Sequence, residues 1–172
     1  MNRRNAIGSI VALSIGTMVF PSCDQKDVGI LKLKNFTLTG KEEKMLHQLA
    51  DAIIPKTPSD LKSVEFMLKM VDDCYDPDQQ KKFLTGLLAF DKLTRDKYGS
   101  SFTAISSTQK KEWLNIMEKK KDIPEDVLFF YETSRKHVLQ AFTTSKEYMT
   151  DILKYKMVPG SNFKGCVPVK KT

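Results

Sequence analysis

Reactive side chains are scarce in this chain. Its 172 residues include two histidines, three cysteines and one tryptophan. His47 and His137 lie far apart, and neither has a second ligand three or four residues away, so a histidine-based metal site is not expected. Three cysteines fall short of the four thiolates of an ordinary iron–sulfur cluster, and no Cys-x-x-Cys-His attaches a haem. There is no Gly-x-Gly-x-x-Gly and no Gly-x-x-x-x-Gly-Lys-Ser/Thr, the two loops whose backbone amides cradle dinucleotides and phosphates. The expectation is therefore no catalytic, cofactor-binding or metal-ligating residue in this chain. The adjacent Asp72 and Asp73 do not form a carboxylate dyad, because neighbouring helical residues point about 100° apart; they read as a solvated helix end. Both histidines read as hydrogen-bonded structural residues.

Long apolar runs are missing too. The longest, Ala6 to Phe20, has fifteen residues. As a helix it would span about 22 Å, short of a bilayer core of about 30 Å. Preceded by Arg3 and Arg4 and closed by Pro21-Ser22-Cys23, it reads as a signal-peptide core. The paired arginines and the modest apolarity set by Gly8, Ser9, Ser14 and Gly16 resemble a twin-arginine leader, which exports folded proteins, with general secretion as the alternative. Cys23 stands where a lipobox places its cysteine, so the expected mature chain begins at a diacylated Cys23; a buried or spare thiol is the alternative. The expected location is the periplasmic side, lipid-anchored to a membrane.

What the chain has in quantity is charge and helical patterning. The net charge of +7 falls to +5 when Arg3 and Arg4 are set aside (26 basic against 21 acidic residues). The basic runs Lys119-Lys120-Lys121 and Lys170-Lys171 come with no nucleic-acid-binding module, so no nucleic-acid partner is expected; they read as a solvated helix end and a tail. From Thr39 onward, apolar residues recur at helical spacing between start and stop signals. Thr39 and Glu42 have capping-box spacing before Leu46, Leu49, Ala50 and Ile53, and Pro55 ends that helix. A second stripe runs Val64, Met67 or Leu68, Val71 and Cys74. Asp76-Pro77 opens a third helix with Phe83, Leu84, Leu87, Leu88 and Phe90 facing inward and Gly99 as a left-handed cap. Ser107 is expected to cap a fourth helix carrying Trp113, Leu114, Ile116 and Met117. Asp122 and Glu125 predict a capping box before a long helix through Val127, Phe130, Tyr131, Ser134, Val138 and Ala141, and a short helix follows around residues 146–154.

The resulting organisation is a signal peptide over residues 1–22, a polar tether over 23–38 needing no fold of its own, and a helical domain over 39–172. The fold class is mainly α: a single domain of about five to six helices, whose C-terminal segment is irregular and turn-rich because of Pro159, Gly160, Gly165 and Pro168. Cys74 and Cys166 remain after Cys23 is assigned to lipid. In an oxidising compartment they are candidates for a bridge, which would close a loop of about 90 residues and contribute about 4 kcal/mol. Two separate thiols, or a bridge to a partner, stay open as alternatives.

Three segments together resemble the gluconate 2-dehydrogenase subunit 3 family: Leu49-Ala50-Asp51-Ala52-Ile53-Ile54-Pro55, the Asp73-Cys74-Tyr75 turn, and above all Val158-Pro159-Gly160-Ser161-Asn162-Phe163-Lys164-Gly165-Cys166-Val167-Pro168. The similarity spans roughly Leu46 to Val169, with Met157 where the family often has proline. The resemblance implies the small, non-catalytic subunit of a periplasmic dehydrogenase that oxidises sugars, polyols or sugar acids. By that implication the large partner is a glucose–methanol–choline type flavoprotein holding FAD, a cytochrome c with haem c often completes the electron path, and the small subunit assists maturation and export. The candidate partner-binding residues are Tyr155, Met157, Val158 and Phe163; packing of this segment across its own helices is the alternative. A stand-alone periplasmic adaptor lipoprotein is the competing function.

Overall fold

The computed structural model describes residues 29, 31–55 and 62–155. Among these, five α-helices and one π-helical turn account for the regular structure: α1 (Gly40–Ile53), α2 (Ser63–Cys74), α3 (Pro77–Tyr98), α4 (Ser107–Lys119), α5 (Glu125–Thr143) and the turn Tyr148–Ile152. The mainly helical fold class expected from the sequence is what is found.

Most boundaries follow from local chemistry. Thr39 accepts from the Glu42 amide while the Glu42 carboxylate takes the Thr39 amide, so two of the orphan donors at the start of α1 are satisfied. Asp76 and Gln79 do the same for α3, with Pro77 in the first turn, where its missing N–H costs nothing. Gly99, at φ 71°, ends α3 in the left-handed conformation that a residue without Cβ adopts cheaply. The carbonyls at the end of α2 are capped from the next helix: the Gln80 Nε2 amide donates to Val71, Asp72 and Tyr75 carbonyls at 3.2, 3.0 and 3.0 Å. That buried fork holds α2 and α3 in a tight corner.

Several sequence expectations need correction. The cap of α4 is Ser106 rather than Ser107, because Gln109 lies three residues after Ser106 and completes the reciprocal bonds. Asp122 does not cap α5; it sits at φ 56°, and the helix opens after Pro124 without a side-chain cap. Proline disfavours helical geometry in the residue before it, so α5 cannot begin at Ile123. Leu88, expected inside, is 60% exposed, and Cys74, at the end of the α2 stripe, is also exposed. The tether ends earlier than expected, since Leu31, Leu33 and Phe36 pack against the core and Leu38 belongs to it.

α5 is the central element and packs against α3, α2 and α1, while α4 leans on α1. The α3–α5 seam is unusually close at Gly86. A Cβ there would lie 2.1 Å from the Asp126 carbonyl oxygen and 2.6 Å from the Phe130 Cβ, so only glycine lets the two backbones approach this far. Along the seam, Phe90 meets Phe130, Phe102 and Trp113 with ring centroids 5.5, 5.2 and 6.0 Å apart, and Phe83 meets Phe130 at 5.1 Å. These tilted pairs add about 0.5–1.5 kcal/mol each beyond the area they bury. The core therefore centres on the aromatic seam, and this leaves α4 as a flank.

Candidate docking surfaces

Only some of the sequence-predicted residues lie in the described regions. Arg3, Arg4, Cys23, Met157, Val158, Phe163 and Cys166 lie outside them. Cys74 is exposed at the end of α2, and the pairing with Cys166 falls outside the described residues. Tyr155 is 56% exposed, close in sequence to Ile152 and Leu153, which are exposed to a similar degree. Ile152 ends the π-helical turn, and Leu153 and Tyr155 follow it.

Asp72 is not a solvated helix end. It is 5% exposed, and its carboxylate accepts two successive backbone amides, Lys34 at 2.7 Å and Asn35 at 2.8 Å. The Asn35 side-chain amide donates to the Asp72 carbonyl at 2.7 Å. Lys34 Nζ pairs with the exposed Asp73 at 2.8 Å, and that hydrogen bond raises the Lys34 pKa. Residues 31–38 thus form a strap clasped to the end of α2. Sequence reasoning missed this because a lone acid near a helix C-terminus looks unfavourable until a partner from elsewhere is known.

The two histidines part company. His47 is exposed, against expectation, because it lies on a side of α1 that no other described residue covers. His137 is 2% exposed, with Nε2 3.0 Å from the Tyr75 hydroxyl and Nδ1 3.2 Å from Gln140 Oε1. An amide oxygen only accepts, so Nδ1 carries the proton and Nε2 accepts from Tyr75. The rings of Phe66 and Tyr75 stand edge-on to the imidazole. Burial is the main reason its pKa is lowered from the ordinary 6.5. Both nitrogens are satisfied in the neutral form, which makes this a structural joint between α2 and α5. Among the described residues, no group of three or more His, Cys, Asp or Glu is placed to hold a metal ion, and no helix is long and apolar enough to cross a membrane.

A concave surface lies along α4. Three adjoining hollows of about 310, 290 and 500 Å³ run from the end of α1 to the end of α4. The first and second share Ala52 and Lys111; the second and third share Glu118, Tyr131, Arg135 and Leu139, so the three form one groove. Its floor is apolar, with Ile53, Leu114, Met117 and Leu139, and its walls are α4 and α5. Ion pairs cross it: Arg135 Nε lies 3.5 Å from Glu118 Oε1, and Lys120 pairs with Glu132. The Tyr131 hydroxyl sits 3.5 Å from the same Glu118 oxygen, and burial, with the Glu118 charge second, pushes its pKa up to about 12. At the other end Lys110 donates to Gln48 Oε1 at 2.6 Å, and partial burial lowers its pKa. Nothing here brings a nucleophile and a base together. The groove offers shape, apolar surface and charge, which suit binding.

The family profile described as gluconate 2-dehydrogenase subunit 3 matches residues 40–160, well over half of the chain. The chain belongs to the gluconate 2-dehydrogenase subunit 3 family. No curated protein and no solved structure matches it. Membership marks an accessory subunit of a dehydrogenase complex. The matched span begins at the first residue of α1 and includes every helix described above. The strap at residues 31–38 lies outside it.

Proposed function

We propose that this chain is the non-catalytic small subunit of a periplasmic, FAD-dependent dehydrogenase of sugars, polyols or sugar acids, whose flavoprotein subunit is of the glucose–methanol–choline type. The family match over residues 40–160 carries this reading. Its role is to dock on the flavoprotein, assist its maturation and export, and attach it to the membrane through lipid on Cys23. FAD resides in the large partner, and haem c in a cytochrome third subunit where one is present. Arg3 and Arg4 direct export by the twin-arginine route, which accepts folded cargo and so suits a subunit that travels with a loaded flavoprotein. The exposed Tyr155 and the following Met157, Val158 and Phe163 supply apolar anchors for the partner.

The test is co-expression of the tagged chain with a glucose–methanol–choline flavoprotein from the same genome. Co-purification of a yellow, FAD-containing protein that disappears from the envelope when this chain is deleted supports the accessory role. A colourless monomer, with the flavoprotein exported regardless, refutes it and favours a stand-alone adaptor lipoprotein. Arg3→Lys with Arg4→Lys should hold both subunits in the cytoplasm, and Cys23→Ala should release the complex from the membrane in fractionation.

A further inference from the structure

We propose that the groove between α4 and α5 is the seat of an acidic amphipathic helix carried by the flavoprotein subunit. The inference rests on the accessory-subunit reading and goes beyond it by naming a surface and the chemistry of its occupant.

Three observations lead there. First, the groove walls are helices, whose backbone groups are bonded internally, so an extended strand would find no edge to pair with. A helix recognises such a surface through side chains alone, with apolar residues three and four apart. From Lys111 to its last residue, Lys119, the α4 wall runs nine residues, about 12 Å, which accommodates about two turns of a guest helix. Second, the floor supplies apolar contacts from the end of α1, from α4 and from α5 at once, and Leu139 stands in the half of the groove where the second and third hollows overlap. Third, the charge has a sign. Arg135 and Lys120 are engaged by Glu118 and Glu132, but among the described residues neither Lys111 nor Lys136 is paired with a carboxylate. These unmatched cations, one toward each end of the groove, call for carboxylates on the flank of the guest.

The same charge argues against the alternatives within this chain. Residues 156–172 contain Lys156, Lys164, Lys170 and Lys171 and no acid, so this tail is a poor electrostatic match for the rim. A second copy brings its own positive net charge, +5 without Arg3 and Arg4.

Full-length chain with a photo-crosslinking phenylalanine analogue at position 111, 139 or 88 is co-expressed with the flavoprotein and irradiated, and the adducts are mapped. In parallel, flavoprotein capture is titrated for wild type, for Lys111→Glu with Lys136→Glu, and for Leu88→Ser, after circular dichroism has confirmed each fold. Expected are adducts to an acidic helix of the flavoprotein from positions 111 and 139 but not 88. Capture by the double charge reversal should weaken about tenfold, with a flatter salt dependence, and capture by Leu88→Ser should match wild type. If the folded double variant captures the flavoprotein as tightly as wild type and adducts form from position 88 alone, the groove is not the seat, while the accessory role stands. Adducts from 111 or 139 to residues 156–172, or to a second copy, overturn the proposed occupant. Failure of wild type to capture the flavoprotein at all removes the accessory reading and this inference together.

Discussion

Helix α5 has two unlike flanks. Toward α3, Gly86 brings the backbones into contact and three aromatic rings, those of Phe102, Trp113 and Phe130, interlock around Phe90. Toward α4 the same helix presents an open groove, crossed by half-exposed ion pairs over an apolar floor. The first flank is close-packed like a protein interior, where the loss of even one methylene is felt. The second leaves apolar area in reach of water and spans it with charges that contribute little in solvent. The contrast teaches that the stability of this domain and its capacity to bind are kept on opposite sides of one helix, so one can be altered without the other.

Mutations on the two flanks should therefore differ by an order of magnitude in their effect on folding. Phe90→Ala removes the hub of the aromatic seam and should cost about 4 kcal/mol, read as a lower urea midpoint at unchanged slope. Gly86→Ala gains helix propensity of about 1 kcal/mol, yet its new methyl strikes the Asp126 carbonyl; the helices must part, and the net loss should be about 2 kcal/mol. A stabilised Gly86→Ala would show that the seam is looser than described.

The joint between α2 and α5 should show itself through pH. Burial lowers the pKa of His137 in the folded chain below its ordinary 6.5, so the unfolded chain binds the proton more readily. The contribution of neutral His137 is thus fully present above about pH 6.5 and is lost as pH falls from there through the folded-state pKa. Urea titrations at pH 7.5 and 5.5 should show a larger drop for wild type than for His137→Gln, and equal drops would refute the assignment. The smallest effect is expected across the groove: Arg135→Ala should change stability by about 0.5 kcal/mol or less, since Arg135 and Glu118 are each about half exposed. A loss near that of Gly86→Ala would erase the contrast between the flanks.

Much of the helical plan was readable because helix ends are local events. The Thr39–Glu42 box, Asp76-Pro77 and Gly99 each act through atoms within four residues, and each does so in the structure as its spacing predicts. Buried positions recurring near 3.6 residues on α5, from Val127 to Ala141, were legible for the same reason. The errors arose where distant residues decide the outcome. Leu88 has the right polarity for the core but lies outside the stripe set by Phe83, Leu87 and Phe90. Asp72 is buried only because the amides of Lys34 and Asn35, nearly forty residues earlier, close on it. The groove left no sequence signal, as its lining comes from three helices and each contributes residues ordinary for a helix surface. The subunit family was legible from the segments around Leu49, Asp73 and Val158 taken together.

The clasp at Asp72 also sets a length. If Cys23 carries lipid as proposed, six residue steps separate the anchor from Gly29, whose amide donates to the Leu38 carbonyl at 2.8 Å, a reach of at most about 21 Å. Without the clasp and the packing of Leu31, Leu33 and Phe36, the leash would run on to α1 and be nearly three times as long. A leash that short would confine the lipidated domain to a thin layer above the bilayer, and a partner bound to it would be held in that layer as well. Encounters with an electron acceptor in the same membrane would then be a search over a surface rather than through a volume.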